Sequence, residues 1–325
     1  MDIGKVPVEI LQKHVFSNLR TNKNILLLPN IGEDCTAVDI EGEIAVLTMD
    51  PITAGDSMSG FLSVVVACND LAAAGAQPFG ILTTVLLPPG SGEDEFAHIL
   101  TQIRDACNKL NIHLLGGHSE VTTAVTRPLI VSTGFGRVKK EFLVSTGGAK
   151  PGDKIVITKT IGLEGTFILY NKYKEKLKDI LNSHEEKEIE SFIEKLSVVK
   201  EGTIAREYAS SMHDITEGGL FGAIYEVCRA SSKGAVIYEN MINLSSAVQK
   251  VCAFFNLNPY KLISSGSMLI TTNRADELVE KLRENNIECC VIGEIIEKPC
   301  IEFIYKNGEK ININELPVDE IYKVV

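Results

Sequence analysis

The sequence lacks several signatures that would place it in a common functional class. It has no GxxxxGK[ST] motif, which excludes a P-loop nucleotide-binding protein. The GxG at 134–136 lacks the third glycine of a dinucleotide-binding fingerprint, and the segment 55–59 lacks the final glycine of a GxSxG nucleophile elbow. Any catalytic chemistry must therefore rest on other groups, and the candidates are acidic side chains and paired glycines.

Basic runs, long apolar stretches and paired cysteines are also missing. The 325 residues carry 32 Lys and Arg against 43 Asp and Glu, a net charge of −11, and no basic cluster indicates a nucleic acid or an anionic membrane as partner. No window has the length of an uncharged membrane span, and the N-terminus shows no signal-peptide pattern. The eight cysteines form no CxxC pair, which is typical of a reducing compartment. We therefore expect a cytoplasmic protein that binds neither nucleic acid nor membrane.

Two domains are expected from the length and from a break rich in glycine and proline. A chain of 325 residues is long enough for two domains of ordinary size. The segment 139–153 holds Gly147, Gly148, Pro151 and Gly152 between two periodic regions. We place the boundary after residue 148, so that the domains span 1–148 and 149–325. Strands alternate with helices on both sides of it, which predicts an α/β (α+β) fold.

An apolar helix at 59–76 organises the first domain. It is apolar on nearly every face, which is typical of a buried helix, yet Asn69 and Asp70 lie in its middle. A buried, ionised Asp is costly unless a basic side chain or a cation accompanies it. Asp34 and Asp50 lie in two other acidic stretches, and converging carboxylates favour a metal. The alternative is that Asp70 only caps or hydrogen-bonds a neighbouring loop.

A first glycine pair lies at an expected strand end, beside polar residues. Gly116 and Gly117 precede His118, Ser119 and Glu120. Paired glycines let backbone N–H groups approach an anion closely, and the polar side chains could ligate a metal or orient a substrate. A tight turn with surface polar residues is the alternative.

A second glycine pair follows the expected strand that ends at His213. Asp214 and Glu217 have the spacing of a capping box, just before Gly218 and Gly219. A helix N-terminus with adjacent glycines is a natural phosphate site. Simple N-capping by Asp214 is the alternative, and it is compatible with phosphate binding.

These motifs, taken in order, resemble one superfamily of enzymes. It contains aminoimidazole ribonucleotide synthetase (PurM), selenophosphate synthetase, thiamine-monophosphate kinase and the HypE hydrogenase-maturation proteins. The resemblance covers nearly the whole chain, and the segments 150–153, 163–165 and 264–266 are most similar to the HypE-like branch. The motifs that carry it are Gly32-x-Asp34, Thr48-x-Asp50, Asn69-Asp70-Leu71, Gly116-Gly117-His118-Ser119-Glu120 and His213-Asp214-x-Thr216-x-Gly218-Gly219.

The resemblance implies a two-domain PurM-like fold, bound ATP and Mg²⁺, and a set of site residues. The N-terminal domain would form a dimeric β-barrel with helices outside, and the C-terminal domain an α/β sandwich. The implied metal ligands are Asp34, Asp50, Asp70 and Glu120. The implied nucleotide-binding residues are Asn69, Gly116, Gly117, Ser119, Asp214, Gly218 and Gly219. The implied catalytic residues are His118 and His213.

The function implied is ATP- and Mg²⁺-dependent activation of a carbonyl-type oxygen of a small substrate by phosphoryl transfer. A homodimer and a hydrogenase-maturation partner protein are expected with it. Two departures from the pattern matter. The last cysteine is Cys300, so the C-terminal acceptor cysteine of HypE proteins is missing, and His118 stands where many relatives carry Asp or Glu, unless Glu120 serves instead. The alternative is a non-catalytic nucleotide-binding or scaffold protein in metalloenzyme maturation.

Overall fold

The chain forms two α/β halves, each built on one sheet, in a computed structural model that describes residues 6–19, 22–28, 30–52 and 58–324. The helices are α1 (Val8–His14), α2 (Ser59–Ala73), α3 (Glu93–Leu110), α4 (Leu163–Leu177), α5 (Ser183–Ser191), α6 (Val199–Ala205), α7 (Gly219–Ser231), α8 (Ser246–Phe255) and α9 (Ala275–Glu284). The strands of the first half are β1 (Ile25–Leu27), β2 (Thr36–Ile40), β3 (Glu43–Ile52), β4 (Gln77–Leu87), β5 (His113–Val121) and β6 (Leu129–Val138). Those of the second half are β7 (Lys154–Thr158), β8 (Ser211–Ile215), β9 (Gly234–Tyr238), β10 (Ser267–Thr272), β11 (Cys289–Ile296), β12 (Ile301–Ile304) and β13 (Lys310–Asn312). The predicted α/β class is confirmed.

The first sheet has the strand order β1-β2-β3-β6-β4-β5. Its neighbouring strands are antiparallel except for the parallel pair β4 and β5. Helices α2 and α3 cover one face, where Val64 and Ala67 of α2 meet Ile81, Ile103 and Ile130. Helix α2 also contacts α6 and β8 of the second half. Because it is enclosed on both sides, it has no polar face, as its sequence predicts.

The other face of the first sheet is open to solvent in a single chain. Met49 of β3 is 64% exposed and Leu82 of β4 is 46% exposed. The strand register places both beside Thr133 of β6, so they form part of one apolar surface. Strand β5, at the edge, is exposed along its whole length. One chain therefore forms an open sheet, and the closed barrel expected for a dimer stays a prediction.

The second sheet has the order β13-β12-β9-β11-β7-β10-β8 and is covered on both faces. Phe221 and Ile224 of α7 pack with Ile157 on one face. Leu278 and Leu282 of α9 belong to the core cluster on the other. The two covered faces agree with the predicted α/β sandwich. Among the described residues, none of the helices combines the length and the apolar character that a membrane span requires.

Strand β3 runs further than its sequence suggests. A proline commonly ends a strand, but β3 continues through Pro51, which is paired in register with Val131 of β6. On the other side of β3, the register with β2 ends at Leu47. Pro51 therefore lies on a free edge, where the missing N–H of proline is tolerated. As a result Asp50 is held within a strand, with a fixed side-chain direction.

Candidate functional site

Four aspartates from four different elements converge where the two halves meet. Asp34 precedes β2, Asp50 lies on β3, Asp70 lies on α2 and Asp214 lies on β8. The hydroxyl oxygen of Thr48 is 2.6 Å from Oδ2 of Asp70, 3.4 Å from Oδ2 of Asp50 and 3.1 Å from the backbone oxygen of Asp34. The structure thus brings the three predicted aspartates together and adds Asp214, which the sequence suggested for nucleotide binding.

The electrostatics of this cluster favour a bound cation. Burial raises the pKa of Asp70 well above its ordinary value, and the charges of Asp50 and Asp214 raise it further. Burial also raises the pKa of Asp214 to about 7, with further repulsion from Asp34 and Asp50. Oδ2 of Asp214 is buried and has no hydrogen-bond partner among the described residues. The charge of a divalent cation at this cluster would favour the ionised form of these carboxylates, and among the described residues Asp34, His213 and Asp214 have side-chain atoms within 4.8 Å of one another.

His213 is buried next to this cluster and is surrounded by acidic groups. Its Nε2 is 3.4 Å from Oε2 of Glu226 and 3.6 Å from Oδ2 of Asp34, and its Nδ1 is 2.6 Å from the backbone oxygen of Asp214. Burial alone would lower the pKa of His213, but its contacts with Glu226, Asp34 and Asp214 raise it to about 10. The imidazolium therefore acts as a fixed positive charge beside the aspartates, and it does not line the main cleft.

The main cleft, which lies beside the aspartates, has an acidic wall. No Lys or Arg lines it among the described residues. An anionic ligand would therefore be repelled from this cleft unless cations accompanied it. The acidic residues that line it are Asp34, Asp50, Asp70, Glu164 and Glu217. The aliphatic and aromatic residues that line it are Ile52, Val66, Ile168, Ile263, Ile321 and Tyr322.

Asn69 joins the two halves, and its predicted place in the nucleotide site stays a prediction. Its side-chain nitrogen donates to the backbone oxygen of Leu196 at 2.8 Å, and its side-chain oxygen accepts from the backbone N–H of Val198 at 2.8 Å. Both hydrogen bonds are buried. Since its amide is engaged at both ends, Asn69 positions Asp70 by fixing α2 against the second half.

The glycine pair Gly218 and Gly219 lies at the start of α7, but a carboxylate of the protein itself already contacts this helix N-terminus. The N–H of Gly218 donates to Oδ2 of Asp319 at 2.6 Å, and Gly218 itself is the N-cap of α7. The predicted capping by Asp214 is wrong, because Asp214 lies inside β8 and points into the aspartate cluster. The carboxylate of Asp319 therefore occupies the position where a phosphate was expected.

The segment 116–120 lies within β5 and does not reach the aspartates in one chain. His118 and Glu120 are both exposed and lie 3.5 Å apart, between Nε2 and Oε2. Gly117 has a packing role, since a Cβ there would lie 1.8 Å from the backbone oxygen of Thr83 on β4. The predicted strand end is wrong, and the expected contribution of Gly116, Gly117, His118, Ser119 and Glu120 to the site stays a prediction.

Several residues of the cleft were not singled out from the sequence. Glu164 at the start of α4 is buried in the wall of the cleft, and burial raises its pKa to about 7. Ser265 lies beside the Glu164 carboxyl and acts in the opposite direction, lowering this pKa. Thr48 and Asp319 also escaped notice as site residues. The signal available for Glu164 was its place between two glycines at a helix start, directly after a strand.

Family models for the AIR synthase related proteins match both halves of the chain. The N-terminal domain model matches residues 32–138 and the C-terminal domain model matches residues 150–306. The chain belongs to the AIR synthase related family. The resemblance inferred from the motifs is thereby confirmed, and so is the PurM-like fold. The boundary proposed after residue 148 is not tested by these ranges.

Similar proteins of this family include hydrogenase-maturation proteins. A Methanocaldococcus jannaschii protein named for hydrogenase expression and formation is 26% identical over 87% of this chain and 84% of its own length. Carbamoyl dehydratase HypE of Cupriavidus necator is 27% identical, covering 73% of this chain and 68% of the relative. The expected enzyme class is confirmed at the level of the family.

Solved HypE structures share the fold. HypE in its complex with HypF matches with a TM-score of 0.73 and 22% identity, covering 94% of this chain and 99% of that one. HypE in complex with ATP matches with a TM-score of 0.71 and 19% identity, over 96% of both chains. At these identities the match shows the fold alone, and the site must be judged from this chain's own residues.

Proposed function

We propose that this chain is an ATP- and Mg²⁺-dependent enzyme that activates a carbonyl-type oxygen of a small substrate by phosphoryl transfer. The observation that carries the proposal is the convergence of Asp34, Asp50, Asp70 and Asp214 beside a cleft without Lys or Arg among its described lining residues. Such a set of carboxylates binds divalent cations, and a triphosphate could enter only with them. Membership of a family with a HypE structure solved with ATP supports the nucleotide.

The four aspartates are the residues that would hold Mg²⁺. The metal, when bound, neutralises phosphate charge as the γ-phosphoryl group is transferred. His213 stabilises Asp34 and Asp214 as anions from below, since its imidazolium lies against both. The substrate oxygen forms a bond to the γ-phosphorus as ADP departs, and the phosphorylated oxygen becomes a leaving group. Loss of water from a carbamoyl group, for which the Cupriavidus relative is named, is one reaction that such activation permits.

A homodimer is part of this proposal. Met49 and Leu82 form an apolar surface on the uncovered face of the first sheet, and the adjoining edge strand β5 has free backbone groups along one side. A second copy covering this face would remove both from water. In such a dimer, His118 and Glu120 could contribute only to the site of the partner subunit, because their own sheet separates them from their own aspartates.

A hydrogenase-maturation partner protein is the second partner we propose, by analogy with the HypE–HypF complex. A non-catalytic nucleotide-binding or scaffold role in metalloenzyme maturation is the alternative function. The two functions differ in one observable, because the scaffold binds Mg·ATP without ever releasing ADP. The carboxylate cluster, in which Asp70 and Asp214 are buried, would serve Mg·ATP binding in both cases, so ADP release is the measurement that separates them.

Calorimetry with ATP in the presence and absence of Mg²⁺ tests the proposal. Wild-type protein should bind ATP only with Mg²⁺, and Asp70→Asn should weaken this binding roughly 100-fold, because loss even of outer-shell metal partners costs about 10–100-fold. Asp105→Asn on the exposed side of α3 is the matched control and should bind as wild type does. Binding that ignores both Mg²⁺ and the Asp70 change would overturn the proposal.

A further inference from the structure

Lys159 directly follows β7 and has a left-handed backbone conformation, with a φ of +55°. Glycine adopts this conformation without strain, whereas a residue with a Cβ adopts it at a cost. The side chain of Lys159 is also largely removed from water, with 17% of its surface exposed. A charged side chain in such a position requires strong contacts at its ammonium group.

Four oxygen atoms contact the ammonium group of Lys159. Its Nζ donates to the backbone oxygens of Lys195 at 2.8 Å, Ser197 at 2.7 Å and Gly266 at 2.9 Å. Oε1 of Glu201, whose side chain is 3% exposed, is 2.6 Å from the same Nζ. Backbone carbonyl oxygens arranged around one positive charge are also what replaces the water around K⁺ in ion channels. The ammonium group therefore occupies a place that suits a monovalent cation.

These oxygen atoms need a positive charge between them. The negative ends of the carbonyl dipoles and the carboxylate of Glu201 repel one another at this distance, and a buried carboxylate without a cation is costly. Burial lowers the pKa of Lys159, whereas the charge of Glu201 acts in the opposite direction. Loss of the ammonium group would leave the carboxylate and the carbonyl oxygens facing one another without a counter-charge.

One of the oxygen atoms belongs to the joint between the two halves. Ser197 lies between the two residues whose backbone groups bond the amide of Asn69. These residues are Leu196 and Val198. Asn69 directly precedes Asp70 on α2, so the segment that Lys159 holds also determines where α2 places Asp70.

The other oxygen atoms connect Lys159 to two further segments. Glu201 lies on α6, where a Cβ on Gly202 would lie 2.4 Å from the backbone oxygen of Ala72 on α2. Gly266 directly follows Ser265, which lines the main cleft. A single ammonium group thus links α6, the segment 195–197 and a wall of the cleft.

We propose that the ammonium group of Lys159 is a tethered monovalent cation, and that Lys159 is a positioning residue for Asp70. Its charge holds the carbonyl oxygens of the segment 195–197 in place and thereby supports the hydrogen bonds of Asn69. The effect on the metal site rests on the proposed function. Because the cation is tethered, the wild-type protein does not depend on K⁺ in solution. Removal of the side chain leaves a site that a free K⁺ or NH₄⁺ ion can reach, since Lys159 lines a pocket open to solvent.

Lys159→Gly tests the proposal, because glycine removes the ammonium group and suits the left-handed backbone. Its melting temperature is measured at equal ionic strength in choline chloride, KCl and NH₄Cl, since choline is too large for the site. We expect K⁺ and NH₄⁺ to raise the melting temperature of Lys159→Gly by about 3 °C relative to choline. Wild-type protein should respond alike to all three salts.

Three further variants distinguish a cation site from a general loss of packing. Lys159→Met has a long uncharged side chain that fills the site, so K⁺ should not stabilise it beyond choline. Addition of Glu201→Gln to Lys159→Gly removes the carboxylate and should abolish the response to K⁺. Lys250→Ala is the matched control, because its Nζ pairs with the buried Glu185 at 2.8 Å outside this site, and it should respond alike to all salts.

Two results would overturn the proposal. One is a Lys159→Gly variant that is as stable as wild type in choline. The other is a Lys159→Gly variant that neither K⁺ nor NH₄⁺ stabilises or refolds more than choline does.

Calorimetry with Mg·ATP separates the positioning role of Lys159 from the proposed function. Lys159→Gly should bind Mg·ATP about tenfold more weakly in choline than wild type does, and KCl should restore the affinity to within about twofold. Wild-type protein that does not bind Mg·ATP, with Lys159→Gly stabilised by K⁺, overturns the proposed function and supports the tethered cation. Wild-type protein that binds Mg·ATP, with Lys159→Gly binding it equally well in choline, overturns only the positioning role.

Discussion

Asp50 and Glu120 lie on the same sheet but have opposite surroundings. The register pairs Asp50 of β3 with Ser132 of β6, Ser132 with Thr83 of β4, and Thr83 with Gly117 of β5. Glu120 is three residues beyond Gly117, so its side chain points to the other face of the sheet. Asp50 therefore faces the helices and the other aspartates, whereas Glu120 faces solvent.

The position of a metal ligand on a sheet depends on the register of its strand. Both residues are carboxylates near strands, and both fit the motif series of the family. A difference of one residue in register decides which face of the sheet a side chain takes. Three strand spacings, about 14 Å, add to the separation. Within one chain the four aspartates converge without Glu120, and only a second copy could bring Glu120 to such a cluster.

The largest effect on activity is expected when the variants Asp50→Asn and Glu120→Gln are mixed in one sample. The mixture tests whether Glu120 serves the site of the partner subunit. Asp50→Asn should lower the affinity for Mg·ATP roughly 100-fold. If Glu120 serves the site of the partner subunit, the two variants mixed and re-equilibrated should recover about a quarter of the wild-type ADP release, because half of the random dimers hold one intact site.

One result would exclude a site shared between the two subunits. Glu120→Gln alone with unchanged release would exclude Glu120 from the site in either chain. Recovery in the mixture above the sum of the separate variants is the result that only a shared site produces.

Next in size is the effect of Leu82→Glu on the oligomeric state. Leu82 lies on the uncovered face with Met49, and a buried, unpaired charge there would oppose association. We expect a dimer for wild type and a monomer for Leu82→Glu, measured by light scattering after size exclusion. Phe254→Glu is the control, since Phe254 is an exposed apolar residue of α8 in the second half, away from this face. A wild-type monomer at micromolar concentration would contradict the proposed dimer.

A smaller effect is expected on the pH dependence of stability without metal. The pKa values of Asp214, Glu33 and Glu164 are raised to about 7, so the folded state binds protons more tightly than the unfolded chain. Their contribution is present below about pH 4 and is lost as the pH rises through 7. The raised pKa of His213, about 10, acts in the same direction between about pH 6.5 and 10.

The melting temperature of the metal-free protein should therefore fall, by about 5 °C between pH 5 and pH 8. Mg²⁺ should reduce this fall, because it stabilises the ionised aspartates. Glu120→Gln should leave the slope unchanged, since Glu120 is exposed. A melting temperature that rises over this range would mean that the cluster is not protonated in the folded state.

The aspartate cluster could be predicted from the sequence, but the roles of the residues around it could not, for physical reasons. Asp70 could be found because it interrupts an apolar helix in which a carboxylate is costly, and Asp34 and Asp50 could be found because they lie in other acidic stretches. The role of Asp319 could not be found, because its partner Gly218 lies 101 residues away and nothing local marks the contact. The hydrogen bonds of Asn69 could not be found for the same reason, since its partners Leu196 and Val198 are distant in sequence.

The hydrogen bonds of Asn69 have a consequence for how the cleft opens. Because both ends of its amide are bonded to the second half, a hinge motion of the halves would break two buried hydrogen bonds at once. The turn Glu320–Lys323 does not depend on this joint, because it is held by the N–H of Gly218 at Asp319, the N–H of Asn258 at Glu320 and the hydroxyl of Tyr173 at Val324. We therefore expect slow amide hydrogen exchange around 196–198, where opening of the halves would have to break the bonds of Asn69.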